Sequence, residues 1–149
     1  MKYKAIFFDR DGTLTYFAEE KKAWYHHIVS EWSGKPFEMS YEKMMKLFEL
    51  ASEGREQQLG IAKYFTSFTS SALVGAGKPS PIIFNAALRA QGVSAEESLY
   101  VDDYEPEADG AREQGFTSFL IDRTGSKNDR WSIQNLKQLI DFVEKCEAK

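Results

Sequence analysis

The stretch AIFFDRDGTLT, residues 5–15, carries four apolar residues straight into Asp9, Arg10 and Asp11 and then turns at Gly12. With Tyr3 and Lys4 in front, the run has the length of a strand and lacks the polar alternation of a half-solvated one. That is the pattern of a parallel strand covered on both faces, and residues 3–9 are therefore read as the central strand of a sheet. Two like charges two residues apart at its carboxyl end repel one another unless something neutralises them. The rest of the chain has to supply the reason they are there.

Working outward, strands and helices alternate. Residues 19–34 have helical spacing, with Trp24, Ile28 and Trp32 at i, i+4 and i+8, and Gly34 and Pro36 end the segment. Ser40 is placed to cap a second helix that closes near Gly54. The β-branched and aromatic residues of FTSFTSSALVG predict a strand over 66–73. KPSPIIFNAALRAQG then predicts a helix with Ser80 as cap, Pro81 at its first position and Gly92 past its end. SLYVDD is a buried strand ending in two acids, EPEADGAREQG a helix stopped by Gly115, and FTSFLID a further strand. The last segment, from Ser132, predicts an amphipathic helix with Ile133, Leu136, Leu139, Ile140 and Val143 on one face. This rhythm defines an α/β fold: a parallel sheet between two layers of helices.

The chain has 149 residues, 42% of them hydrophobic and 28% charged, which is enough to bury one core and too apolar for a disordered segment. A net charge of −4 gives no basic footprint, so neither nucleic acid nor an anionic membrane is expected as partner. No apolar run reaches the ~18–20 residues of a membrane span. The single cysteine, Cys146, forms no internal disulfide and is read as an inert thiol on the last helix. A cytoplasmic location is the expectation.

In an open parallel sheet, ligands collect beyond the carboxyl ends of the strands. Asp9 and Asp11 follow the first strand, Lys78 follows residues 66–73, and Asp102 and Asp103 follow SLYV. Four carboxylates in one crevice require a counter-charge, and a hard, oxygen-seeking cation such as Mg²⁺ supplies it. A cation held by carboxylates with a lysine beside it suits a phosphate group, with Lys78 offsetting charge and the backbone N–H groups around Asp11 to Thr13 cradling the anion. GAGKPS is no nucleotide loop, because Ala72 stands at the first glycine position and Pro79 follows the lysine where Ser or Thr is needed.

FFDRDGTLT, GAGKPSPIIFNAAL and LYVDDYEPEADGAREQG, in that order, resemble the motifs of the haloacid dehalogenase (HAD) superfamily. The likeness covers residues 3–18 and 58–122. It implies a HAD-like, Rossmann-like three-layer fold divided into a core segment at 1–18, a shortened helical cap at 19–57 and the rest of the core at 58–149. It also implies a Mg²⁺-dependent phosphohydrolase acting on a small phosphorylated metabolite. In that reading Asp9 is the nucleophile that forms an aspartyl-phosphate, and Asp11 is the general acid and base, with its main-chain carbonyl on the metal. Gly12 and Thr13 hold the loop and the phosphate, and Lys78 orients both nucleophile and phosphate. Asp9, Asp11, Asp102 and Asp103 form the metal site. Anchoring the acid motif on Gly110 and Ala111 puts Asp102 at the direct ligand position, with Asp103 supporting and Glu107 as the second acid. Val101 and Glu107 replace the glycine and aspartate usual in the family.

The family's second motif, a Ser or Thr ending a strand beside the first, has no match. The chain reads as though the rest of the cap and that strand had been lost between Gly54 and Leu59. One of Thr66, Ser67, Thr69, Ser70 or Ser71 could replace the hydroxyl if its strand lay beside the first, although such residues are also ordinary in strands and turns. The rival functions are a non-catalytic HAD-like protein that binds metal or phosphate, an interaction module, and a receiver-like signalling domain. In a shortened cap the Trp24, Ile28 and Trp32 stripe would favour self-association. Arg10 is expected to point away from the acids if strand alternation continues through it.

Overall fold

A computed structural model describes residues 2–14 and 60–147. The chain divides into two compact units, one formed by Met1–Tyr16 with Ala76–Lys149 and the other by Phe17–Gly75. The helices expected over 19–34 and 40–54, and with them the shortened cap and its tryptophan stripe, lie outside the described residues.

The first unit is built on four parallel strands in the order of the sequence: β1 (Ala5–Phe8), β2 (Ser98–Asp102), β3 (Thr117–Ile121) and β4 (Ser132–Ile133). All five residues of β2 are buried, as are four of five in β3, which is why SLYVD and TSFLI read as apolar runs without alternation. β1 differs from expectation. Among the described residues it pairs on one side only, with β2, and Ile6 is 43% exposed. The described sheet therefore ends at β1, and the run that read as a central strand has neither two strand neighbours nor two covered faces within it.

Register sorts the side chains onto two faces. Phe8, Val101 and Phe119 align across three strands. On their side Tyr3, Leu99, Val101, Phe119, Ile121, Ile133 and Leu139 form the core, with Leu136, Phe142, Val143 and Cys146 of the last helix, α4 (Leu136–Glu147), packed against it. Burying residues such as Leu99 and Val101 completely stabilises the fold by about 1.5–3 kcal/mol each. Ile133 belongs to β4 and not to α4, and Ile140 is exposed, so the buried face of the helix runs through Leu139, Phe142 and Val143 instead. On the opposite side Phe7, Tyr100 and Ser118 align. There Phe84 of α2 (Pro81–Gln91) meets the rings of Tyr100 and Phe116 at 5.4 and 5.6 Å between centroids. Helices thus cover both faces, and the α/β fold is as read.

Helix boundaries follow their sequence signals. Ser80 caps α2 by accepting from the Ile82 N–H, Pro81 opens it, and Gly92 closes it in the left-handed region. α3 (Glu105–Glu113) ends one residue before the turn at Gly115 and packs on β2, β3 and α2. In the second unit the described part is a 3₁₀ turn at Ala62–Tyr64 and the one-turn helix α1 (Ser71–Val74). Residues 66–73 are not a strand. Ser70 accepts from the Ala72 N–H and starts a helical turn, and residues 65–70 are irregular, so local capping prevails over the β-propensity of Thr and Phe, which is a weak preference without a sheet to join.

Candidate active site

The carboxyl ends of β1 and β2 lie side by side because Phe8 pairs with Val101, and the Asp9 N–H donates to the Val101 carbonyl at 2.8 Å. This brings Asp9 level with Asp102. Lys78, in the turn before α2, reaches both: Nζ donates to Asp9 Oδ1 at 2.6 Å and to Asp102 Oδ2 at 2.7 Å, and lies 2.5 Å from Glu107 Oε2 at the start of α3. One ammonium thus bridges three carboxylates from three elements. Its turn is held by a close approach: Gly110 of α3 lies so near Pro79 that a Cβ at position 110 would stand 2.4 Å from the proline Cβ.

Asp102 is 1% exposed and accepts from three donors. Oδ2 accepts from Lys78 and from the Tyr100 hydroxyl at 2.5 Å, and Oδ1 accepts from the Tyr104 N–H at 2.9 Å, at the start of α3. Tyr100 reaches it because residues two apart on a strand share a face. Asp103 turns towards the loop after β1. A Cβ on Gly12 would fall 2.1 Å from Asp103 Oδ2, and Gly12 has φ +100°, so both sterics and backbone restrict this position to glycine. Thr13 is fully buried, and its hydroxyl has no hydrogen-bond partner among the described residues.

Burial and mutual repulsion set the electrostatics. Burial raises the Asp9 carboxyl above its ordinary value, with Asp102 adding to the effect and Lys78 opposing it. Asp103 is raised by burial and then by Asp102, and Glu107 by burial with Asp102 contributing against Lys78. For Lys78 burial works against the charge, but the Tyr100, Asp9 and Asp102 oxygens prevail and hold the ammonium above the usual lysine range. Tyr100 is held as a neutral phenol, chiefly by burial.

Asp9, Lys78 and Asp102 are in direct contact, and Asp9, Asp102 and Asp103 each offer an oxygen within 4.8 Å of the others. Asp11 is outside that trio. Its carboxylate accepts from Arg10, Nε to Oδ1 at 3.3 Å and Nη2 to Oδ2 at 3.1 Å. Arg10 does not point away from the acids as expected, because the strand ends at Phe8 and the alternation does not extend into the turn in which the Leu14 N–H returns to the Arg10 carbonyl. The sequence reading also missed Tyr100, whose signal is its place two residues before Asp102. It missed Arg123 too, which follows β3 and donates to the carbonyls of Gly12 and Thr13.

A lysine-bridged carboxylate cluster thus stands beyond the strand ends of a parallel sheet. A family model described as haloacid dehalogenase-like hydrolase matches residues 46–115. A phosphatase of Mycobacterium tuberculosis is 40% identical over 60 residues, which are 40% of this chain and 28% of that protein. A phosphoserine phosphatase of Thermus thermophilus is 42% identical over 66 residues, 43% of this chain and 26% of its own. The chain thus aligns with well under half the length of these relatives. The crystal structure of a HAD phosphatase from Thermococcus onnurineus superposes with a TM-score of 0.67 at 19% identity, covering 94% of this chain and 97% of the other. Over residues 46–115 the chain is thus similar to haloacid dehalogenase-like hydrolases, and it shares the fold of the Thermococcus onnurineus protein. No helix among the described residues is long and apolar enough to cross a membrane.

Proposed function

We propose that the chain is a Mg²⁺-dependent phosphohydrolase that removes phosphate from a small metabolite through an aspartyl-phosphate on Asp9. The observation that carries the reading is the single ammonium of Lys78 joining Asp9 to Asp102, with Asp103 alongside. A lysine so placed fixes the Asp9 carboxylate through Oδ1 and offsets the charge that an incoming phosphate would meet.

The donors fit a divalent cation of the magnesium type. They are three carboxylate oxygens in one small volume, with no imidazole or thiolate among them, which is the donor chemistry of a hard ion. Asp9, Asp102 and Asp103 would hold it, together with the main-chain carbonyl of Asp11. The ion supplies neutralisation of the carboxylates and polarisation of the phosphate oxygens.

The chain's own groups then divide the work. Asp9 attacks phosphorus, and the bond to the leaving oxygen breaks as Asp11 gives it a proton. Asp11 next takes a proton from water, whose oxygen attacks the same phosphorus, and the Asp9 carboxylate is released with inorganic phosphate. Arg10 donates to both oxygens of the Asp11 carboxylate and so orients the group for these two roles. Gly12 leaves room for the close approach of the loop to Asp103, and the Thr13 hydroxyl, buried without a partner, is available to the loop or to the bound anion.

The test is phosphate release from a generic aryl phosphate by the purified chain. Activity that requires Mg²⁺, is lost with EDTA and is lost in Asp9→Asn supports the reading. A folded chain that Mg²⁺ stabilises against heat but that releases no phosphate from a panel of sugar, amino-acid and aryl phosphates would refute it in favour of a non-catalytic metal-binding protein.

A further inference from the structure

Arg123 stands 110 residues from the loop after β1 and grips it. Its Nη1 donates to the Gly12 carbonyl, and its Nη2 donates to the Thr13 carbonyl at 2.5 Å. The arginine is aimed by the turn that follows β3. Asp122 Oδ1 accepts from the Thr124 N–H at 3.0 Å and from its hydroxyl at 2.6 Å. Asp122 Oδ2 accepts from the Ser126 hydroxyl at 2.7 Å and the Lys127 N–H at 2.8 Å. Four donors on one carboxylate make a firm turn, and these bonds hold the Asp122 carboxyl well below its ordinary value.

What the grip does follows from peptide geometry. A trans peptide is planar, so its C=O and N–H point in opposite directions. Fixing the Gly12 carbonyl on Arg123 fixes the Thr13 N–H facing away from it, and fixing the Thr13 carbonyl does the same for the Leu14 N–H. The Leu14 N–H in fact donates to the Arg10 carbonyl at 2.9 Å, closing the turn that carries Asp11. A cation on a carbonyl oxygen also polarises the peptide and strengthens its N–H as a donor. Gly12, with φ +100°, has no side chain to hold this backbone, and Asp103 packs closely against it. The positive charge of Arg123 also reaches Asp103 and lowers its carboxyl, against the larger effect of burial.

We infer that Arg123 is a positioning residue for the loop that bears Asp11, setting the direction and donor strength of its Thr13 and Leu14 amides through a two-carbonyl fork. A lysine, with one point donor on a flexible stem, cannot reproduce the fork. The consequence for turnover rests on the phosphohydrolase reading, whereas the consequence for the amides does not.

The experiment compares the full chain with Arg123→Ala and Arg123→Lys by backbone amide NMR and hydrogen exchange in metal-free buffer, and by aryl phosphate turnover with Mg²⁺. In Arg123→Ala the Thr13 and Leu14 amide protons are expected to shift upfield. Exchange at Leu14 should quicken on the order of tenfold, while exchange on β2 stays at the wild-type rate. Turnover should fall ~10- to 100-fold in kcat with KM within about twofold. Arg123→Lys should match Ala in kcat and in the Leu14 exchange while keeping wild-type thermal stability. Unchanged Thr13 and Leu14 signals in the alanine variant, or full recovery of both exchange and kcat by lysine, overturns the inference. If Arg123→Ala does not fold, the lysine variant decides by the same amides. If the wild type has no activity, the phosphohydrolase reading fails while the amide readout still decides the role of Arg123.

Discussion

Replacing Lys78 with methionine keeps the length and bulk of the side chain and removes its charge. In the native site that charge sits 2.6 Å from Asp9, 2.7 Å from Asp102 and 2.5 Å from Glu107. Asp102 is buried almost completely, and water cannot compensate it when the ammonium goes. Breaking a buried pair by deleting one partner typically costs 3–5 kcal/mol. Asp9 and Glu107 keep 19% and 22% of their side-chain surface in contact with water, which places this site at the lower end. The expected loss is about 3 kcal/mol at pH 7, or a fall in Tm of roughly 6–12 °C for a chain of this size. The sign of the pH dependence follows from the direction of the shifts. Asp9, Asp103 and Glu107 have folded-state values raised by burial, so they weigh on stability above those raised values, and the burden lifts as pH falls through them towards the ordinary carboxylate range near 4. Lys78 has a raised value, so its contribution is complete at pH 7 and would be lost only in strong alkali. The variant should therefore be penalised most at neutral pH and much less at pH 4.5. Urea unfolding of both proteins at the two pH values, without metal, is the assay. A cost under about 1 kcal/mol at pH 7, the range of an exposed ion pair, or an equal cost at both pH values would show that the cluster is not the buried, self-repelling site described.

Three other perturbations test neighbouring features. Gly12→Ala combines a positive φ with a Cβ set against Asp103, and should cost about 1–3 kcal/mol and abolish any rise of Tm on adding Mg²⁺; a variant with wild-type stability in a thermal melt would argue against that close approach. Tyr100→Phe removes one of the two donors on Asp102 Oδ2, with an expected loss of about 1–2 kcal/mol in metal-free urea unfolding, and no loss would mean that the hydroxyl bond contributes nothing. Gly110→Ala forces apart α3 and Pro79, so it should cost about 1–3 kcal/mol in the same assay and reduce turnover through the displaced Lys78; an unchanged kcat would separate the packing from the site.

How much could be read beforehand depended on whether the cause was local. The boundaries of α2 are written in Ser80, Pro81 and Gly92, and β2 and β3 in unbroken apolar runs, because capping and burial act over a few residues. Asp9, Lys78 and Asp102 could be placed together from the sequence because each stands at or shortly past the end of an element. Residues 66–73 failed because Ser70 offered the backbone a cap, and β-propensity counts only where a neighbouring strand receives it. Ile140 failed because helical periodicity tells which residues share a face but not how wide a stripe the sheet covers. Arg10 failed through an alternation carried two residues beyond the strand's end. Nothing near Arg123 announced its carbonyl partners, since a contact between a turn after β3 and a turn after β1 is a property of topology.

The pairing of Ala5 with Ser98 joins segments far apart in the chain, and Asp9, Lys78, Asp102 and Glu107 meet only once that parallel register is closed. The entropy of closing so long a loop has to be met before any of these charges gains its partner. The expectation is that the cluster forms late in folding, after the transition state. Substitutions such as Lys78→Met should leave the folding arm of a chevron plot almost unmoved and raise the unfolding arm, so that the lifetime of the native state, and not the speed of its formation, is what this site governs.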